Sequence, residues 1–100
     1  MTDNKQPKTG DLSDRLSGIR SSIDEKDARI IALLQERAGL AMKTGEIKTS
    51  LGLPIRDPGR EKNILKTIAG AASGPLSADS LQRIFEAVIR ECRALEEEER

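Results

Sequence analysis

The chain has 100 residues, in which 17 Lys and Arg balance 17 Asp and Glu, with no His, one Cys, one Phe and neither Trp nor Tyr. Those absences exclude ordinary zinc sites, Ser-His-Asp triads, Cys-His dyads and disulfide frameworks. A net charge of zero argues against binding nucleic acid by bulk electrostatics, and one aromatic residue leaves no platform for stacking single strands.

One domain is expected at this length. The 23 Ile, Leu, Val and Phe residues are enough for a lean core. Nothing approaches the roughly 20 consecutive apolar residues of a membrane span. The opening MTDNKQPKTGD is polar and has no apolar signal region. A cytoplasmic protein is the expectation, and a single unpaired Cys suits a reducing compartment.

Residues 1–11, with Pro7 and Gly10, read as a disordered tail, and residues 12–100 as the functional domain. From Leu12, steps of four and three residues meet Leu12, Leu16, Ile19, Ile23, Lys26, Ile30, Leu33, Arg37, Leu40, Thr44, Ile47 and Leu51. Nine of those twelve positions are apolar, which predicts one long helix with a heptad-like stripe. Gly52 and Pro54 end it. A second, short helix starts after Asp57, a good N-cap, with Pro58 in its first turn and Glu61 near the positive end of its dipole. Its inward face reads Glu61, Ile64, Leu65 and Ile68, and it fades through Gly70 to Gly74-Pro75. A third helix opens at Ser77, with an apolar stripe of Leu81, Phe85, Val88, Cys92 and Leu95. No segment alternates as a half-buried strand does, so the fold class is all-α, three helices of unequal length.

About 40 residues of helix reach roughly 60 Å. The other two helices, about 35 residues together, cannot cover that stripe end to end. Soluble chains bury such a seam against a partner, so the expectation is an obligate two-fold homodimer with intertwined long helices. The alternative is a first helix bent or broken near Gly39 or Gly45.

Polar residues that interrupt the apolar pattern point to chemistry. Arg37 occupies a core-type position among Leu33, Leu34, Leu40 and Ala41, and burying a lone guanidinium is costly. It implies an anionic partner or a wet cavity. Lys48 lies 11 residues on, about three turns, and projects from nearly the same face. Two long cationic arms on one face can converge on a small dianion; the plainer alternative pairs Arg37 with a carboxylate of its own chain and sends Lys48 to solvent. Arg20 is 17 residues before Arg37 and about 100° away in direction, so it cannot join that pocket within one chain. In an antiparallel dimer it can enter the partner's pocket. Asp57 and Glu61 stand one turn apart with Arg60 between them, and Cys92 and Glu96 share a face of the third helix. Each also has a duller reading, as cap, dipole partner, small core residue or solvated acid.

Taken in order, IRSSIDEKDARIIALLQERAGLAMKTGEIK, LPIRDPGRE and LQRIFEAVIRECRALE resemble the AroQ-class, all-α chorismate mutases, over about Leu12 to Glu96. The resemblance implies an intertwined dimer of three-helix protomers, each pocket taking one arginine from the partner. It implies the Claisen rearrangement of chorismate to prephenate on the route to phenylalanine and tyrosine. That pericyclic step needs no nucleophile, no metal and no cofactor. By matching position, Arg37 and the partner's Arg20 would bind the substrate carboxylates. Lys48 would contact a carboxylate and donate to the ether oxygen, and Glu61, with the backbone near Asp57, would hold the ring hydroxyl. Arg60 would support the anion field. Cys92 stands where relatives often have serine, and a thiol donates more weakly. Glu96 stands where glutamine or glutamate donates a second hydrogen bond to the ether oxygen, which a carboxyl group does only when protonated. A complex with another shikimate-pathway enzyme stays open. Two alternatives stand beside the mutase: an isochorismate-pyruvate lyase, which shares fold and pericyclic logic, and a non-catalytic helical interaction module.

Overall fold

The structure is a computed structural model that describes residues 9–98, and these form three α-helices with no strand among them. They are α1 (Thr9–Leu51), α2 (Pro58–Gly70) and α3 (Ala78–Glu98). The expected all-α class and all three elements are present. α1 begins at Thr9, three residues before the expected start, with Asp11 in its first turn where a negative charge favours the helix dipole. Residues 1–8 of the expected tail lie outside the described residues. α1 is one helix through Gly39 and Gly45, which removes the broken-helix alternative.

The helix ends follow the local chemistry. Gly52 takes φ +69°, the left-handed conformation in which glycine is cheapest. Beside it, Leu53 N donates to Lys48 O at 2.8 Å and Gly52 N to Thr49 O at 3.2 Å, closing the last turn of α1. Asp57 caps α2, accepting through Oδ1 from Arg60 N at 3.0 Å, with Pro58 at the first helical position. Ser77 caps α3 in the same way, its Oγ accepting from Ser80 N at 3.0 Å.

The chain divides into two units, residues 1–33 and residues 34–100. From residue 10 to residue 33, α1 is exposed throughout. All nine apolar residues of the heptad stripe, in this unit and the next, are 47–66% exposed, so the described residues do not cover the seam. The second unit packs the end of α1, α2 and α3 around Ala41, Ile55, Ile89 and Cys92, which are buried. Ile64, Leu65 and Ile68 of α2 and Leu81, Phe85, Val88 and Leu95 of α3 are half-buried, the faces expected of them. Gln82 Nε2 donates to Leu65 O at 3.3 Å, tying α3 to α2.

Where α1 meets α3, the small residues Ala41 and Gly45 lie between the cations Arg37 and Lys48. A Cβ on Gly45 would lie 2.9 Å from Glu96 Cα and 3.2 Å from Glu96 O, too close for any side chain. This contact, between Gly45 and the backbone at Glu96, is what lets α3 reach the cationic face of α1.

Candidate active site

Within the second unit, a pocket of about 460 Å³ opens between the end of α1, the turn after it, α2 and α3. That is within the range of small-molecule sites. α1 contributes Arg37, Leu40, Ala41, Thr44 and Lys48, three, four, seven and eleven residues after the first, and so on one face. Ile55 and Asp57 come from the turn, and Arg60, Glu61 and Ile64 from α2. α3 closes it with Ile89, Cys92, Arg93 and Glu96.

Seven of the eight residues singled out in the sequence therefore share one pocket: Arg37, Lys48, Asp57, Arg60, Glu61, Cys92 and Glu96. The eighth, Arg20, is an exposed residue of α1 in the first unit and does not line it. Arg93 was missed. It follows Ile89 by four residues and precedes Glu96 by three, so it shares their face, beside the stripe through Cys92. A charged residue at an apolar-face position was the available signal, the same one that marked Arg37.

Four cations and three carboxylates line the pocket. Lys48 does not run to solvent. Its Nζ donates to Ile55 O at 2.7 Å and to Glu96 Oε2 at 3.1 Å, with the two side chains only 20% and 12% exposed. An ammonium has three N–H donors, so one is left for a ligand. Glu61 is held by Arg93, whose Nη1 donates to Oε1, and Arg56 Nε stands 3.6 Å from Oε2. Asp57 has one oxygen engaged in capping α2. Among the described residues, neither Arg37, which is half-buried, nor Arg60, which is exposed, has a carboxylate partner. The alternative of an Arg37 neutralised within its own chain finds no carboxylate for it among the described residues.

Cys92 is free and buried in the pocket wall. With no histidine in the chain to activate it, the pocket offers charges and hydrogen bonds rather than a nucleophile with a base. Among the described residues, no group of His, Cys, Asp and Glu could hold a metal ion, and no helix is long and apolar enough to cross a membrane.

The sequence and its three-helix fold are matched by known proteins. The family model for chorismate mutase type II covers residues 19–97. The chain belongs to that family. A chorismate mutase of Methanocaldococcus jannaschii is 37% identical over 88 residues, 87% of this chain and 89% of that one. Among solved structures, a chorismate mutase of Thermus thermophilus superposes with TM-score 0.81 at 31% identity, over 83% of this chain and 94% of that one. The chorismate mutase of Helicobacter pylori, solved in complex with prephenate, gives TM-score 0.78 at 29% identity over 86% and 93%. Bifunctional chorismate mutase/prephenate dehydratases also match, and the chain spans about a quarter of their length. The names point to the mutase, not to the lyase or the interaction module.

Proposed function

We propose that the pocket binds chorismate as a dianion and holds it in its reactive conformer, with Arg37 and the partner subunit's Arg20 on the two carboxylates. The chemistry is that of the chorismate mutase family: within one molecule a C–O bond breaks as a C–C bond forms, and prephenate results. No proton or electron is exchanged with the protein. What remains for the side chains is to select one conformer and to stabilise the charge that separates across the breaking bond. Lys48 carries the second task. Its free N–H donates to the ether oxygen as negative charge gathers there, while Ile55 O and Glu96 hold the ammonium still. Glu96 adds a donor through its second oxygen, Arg60 strengthens the cationic field, and Glu61 with Asp57 takes the ring hydroxyl. Cys92 contributes packing and a weak S–H donor.

One observation carries this reading: a half-buried guanidinium, Arg37, lines the same pocket as Lys48 with no carboxylate among the described residues to neutralise it. Leaving such a group unpaired is costly, and a bound dianion removes the cost. The two-fold dimer belongs to the proposal and is supported by the uncovered stripe of α1. So does a cytoplasmic location, which the free thiol of Cys92 supports. An association with a second shikimate-pathway enzyme is supported by the bifunctional relatives.

Chorismate consumption, with acid conversion of the product to phenylpyruvate, tests the reaction; salicylate from isochorismate would instead establish the lyase. Subunit mixing tests the shared pocket. Arg20→Ala and Arg37→Ala are each inactive alone, and an equal mixture recovers about a quarter of wild-type activity. Half of randomly paired dimers are hybrids, and each hybrid has one pocket with both arginines. A mixture no more active than its components would remove Arg20 from the site.

A further inference from the structure

Arg93 lines the pocket and donates through Nη1 to Glu61 Oε1, joining side chains 32 residues apart on two helices. Both are withdrawn from solvent, at 24% and 18% exposure. Arg56 approaches the other oxygen, Oε2, at 3.6 Å, but its side chain is 66% exposed, and so open an ion pair fixes little. Arg93 is thus the group that holds Glu61. A guanidinium is planar and donates in fixed directions, so a bond to Oε1 sets the plane of the carboxylate as well as its place. Oε2 keeps lone pairs for a hydroxyl donor. Arg93 is also one of four cations that this chain sets against three carboxylates on the lining, so its loss weakens the attraction for a dianion.

We propose that Arg93 is a positioning residue, which aims the Glu61 carboxylate at the ring hydroxyl of the substrate and adds to the positive charge that draws a dianion into the pocket. This rests on the reading of the pocket as a chorismate site. The hydroxyl lies away from the breaking bond and is held alike in ground and transition states, so the effect falls on KM.

The test is steady-state chorismate turnover by Arg93→Ala, Arg93→Lys, Glu61→Gln and the double variant Arg93→Ala/Glu61→Gln. Arg93→Ala is expected to raise KM about tenfold with kcat within about twofold of wild type. Arg93→Lys keeps the charge but loses the planar fork, so it recovers only part of the loss. In the Glu61→Gln background, Arg93→Ala raises KM by less than about twofold, since the carboxylate it aimed and offset is gone. A role confined to stability would lower the amount of active enzyme, and with it kcat, at unchanged KM. Unchanged KM in Arg93→Ala, or an equal rise in both backgrounds, overturns the proposal. If the wild-type chain left chorismate untouched, the reading of the pocket would fail. Arg93 would then be judged by crystal structures of wild type and Arg93→Ala, where displacement of the Glu61 carboxylate supports the positioning role and an unmoved one refutes it.

Discussion

α1 carries two kinds of helix surface, and the two units of the chain use them differently. Before residue 34 it presents Leu12, Leu16, Ile19, Ile23, Ile30 and Leu33, all large, apolar and exposed. After residue 34, the face turned to α3 is Arg37, Ala41, Gly45 and Lys48, small residues between two cations. Large side chains at heptad spacing suit the seam between separate helices, where knobs fill holes. Small ones let a second helix of the same chain come close enough to place a carboxylate against an ammonium. The stronger hydrophobic signal therefore belongs to the region with no cover of its own, and the weaker one to the region that builds the pocket.

The sharpest way to break this comparison is to charge the uncovered seam. Ile19→Asp with Ile23→Asp touches no pocket residue. In a dimer it buries four unpaired carboxylates, each costing at least about 3 kcal/mol, against about 12 kcal/mol for nanomolar association. Sedimentation should show monomers, and chorismate turnover should fall by about a hundredfold or more, because under the proposed shared pocket each site would lose the partner subunit's Arg20. A double variant that stays dimeric and fully active would mean that the seam has no part in assembly.

Most of this organisation is legible in the sequence. Caps such as Asp57 and Ser77 and the stop at Gly52 act through bonds spanning three to five residues, so local pattern suffices to place them. Arg37 and Lys48 could be paired in advance because helical geometry fixes their shared face. Contacts between helices were not legible. Nothing local announces that Arg93 meets Glu61, or that Lys48 finds Ile55 O, since each depends on how distant segments pack. The closeness of α3 to α1 was hidden too. Gly45 reads in sequence as a weak point where the helix could bend or break, whereas in the fold it is a place where the backbone of α3 comes close to α1.

That glycine gives the next largest effect, now within the pocket-building unit. In Gly45→Ala the new methyl would meet the backbone of Glu96 at 2.9–3.2 Å, which a side-chain rotation cannot relieve. Overpacking of this kind costs about 1–3 kcal/mol, readable in urea unfolding. Because the strain falls on the residue that pairs with Lys48, kcat/KM should drop about tenfold in the fraction that remains folded. Equal stability and activity in Gly45→Ala would show that α3 is free to sit further out and that the close approach is dispensable.

The smallest expected effect concerns Glu96. Its Oε2 accepts from Lys48, and the proposed role leaves Oε1 to donate to the substrate's ether oxygen. A carboxyl group donates there only with a proton on it, whereas an amide donates through its nitrogen while its oxygen still accepts from Lys48. kcat in Glu96→Gln should therefore stay within about threefold of wild type, whereas Glu96→Ala, which loses both bonds, should fall about tenfold. If Glu96→Ala turns over as fast as wild type, Lys48 is left as the only donor to the breaking bond. A loss in Glu96→Ala that Glu96→Gln restores would mean that α3, brought in over Gly45, delivers a second donor to the reacting oxygen.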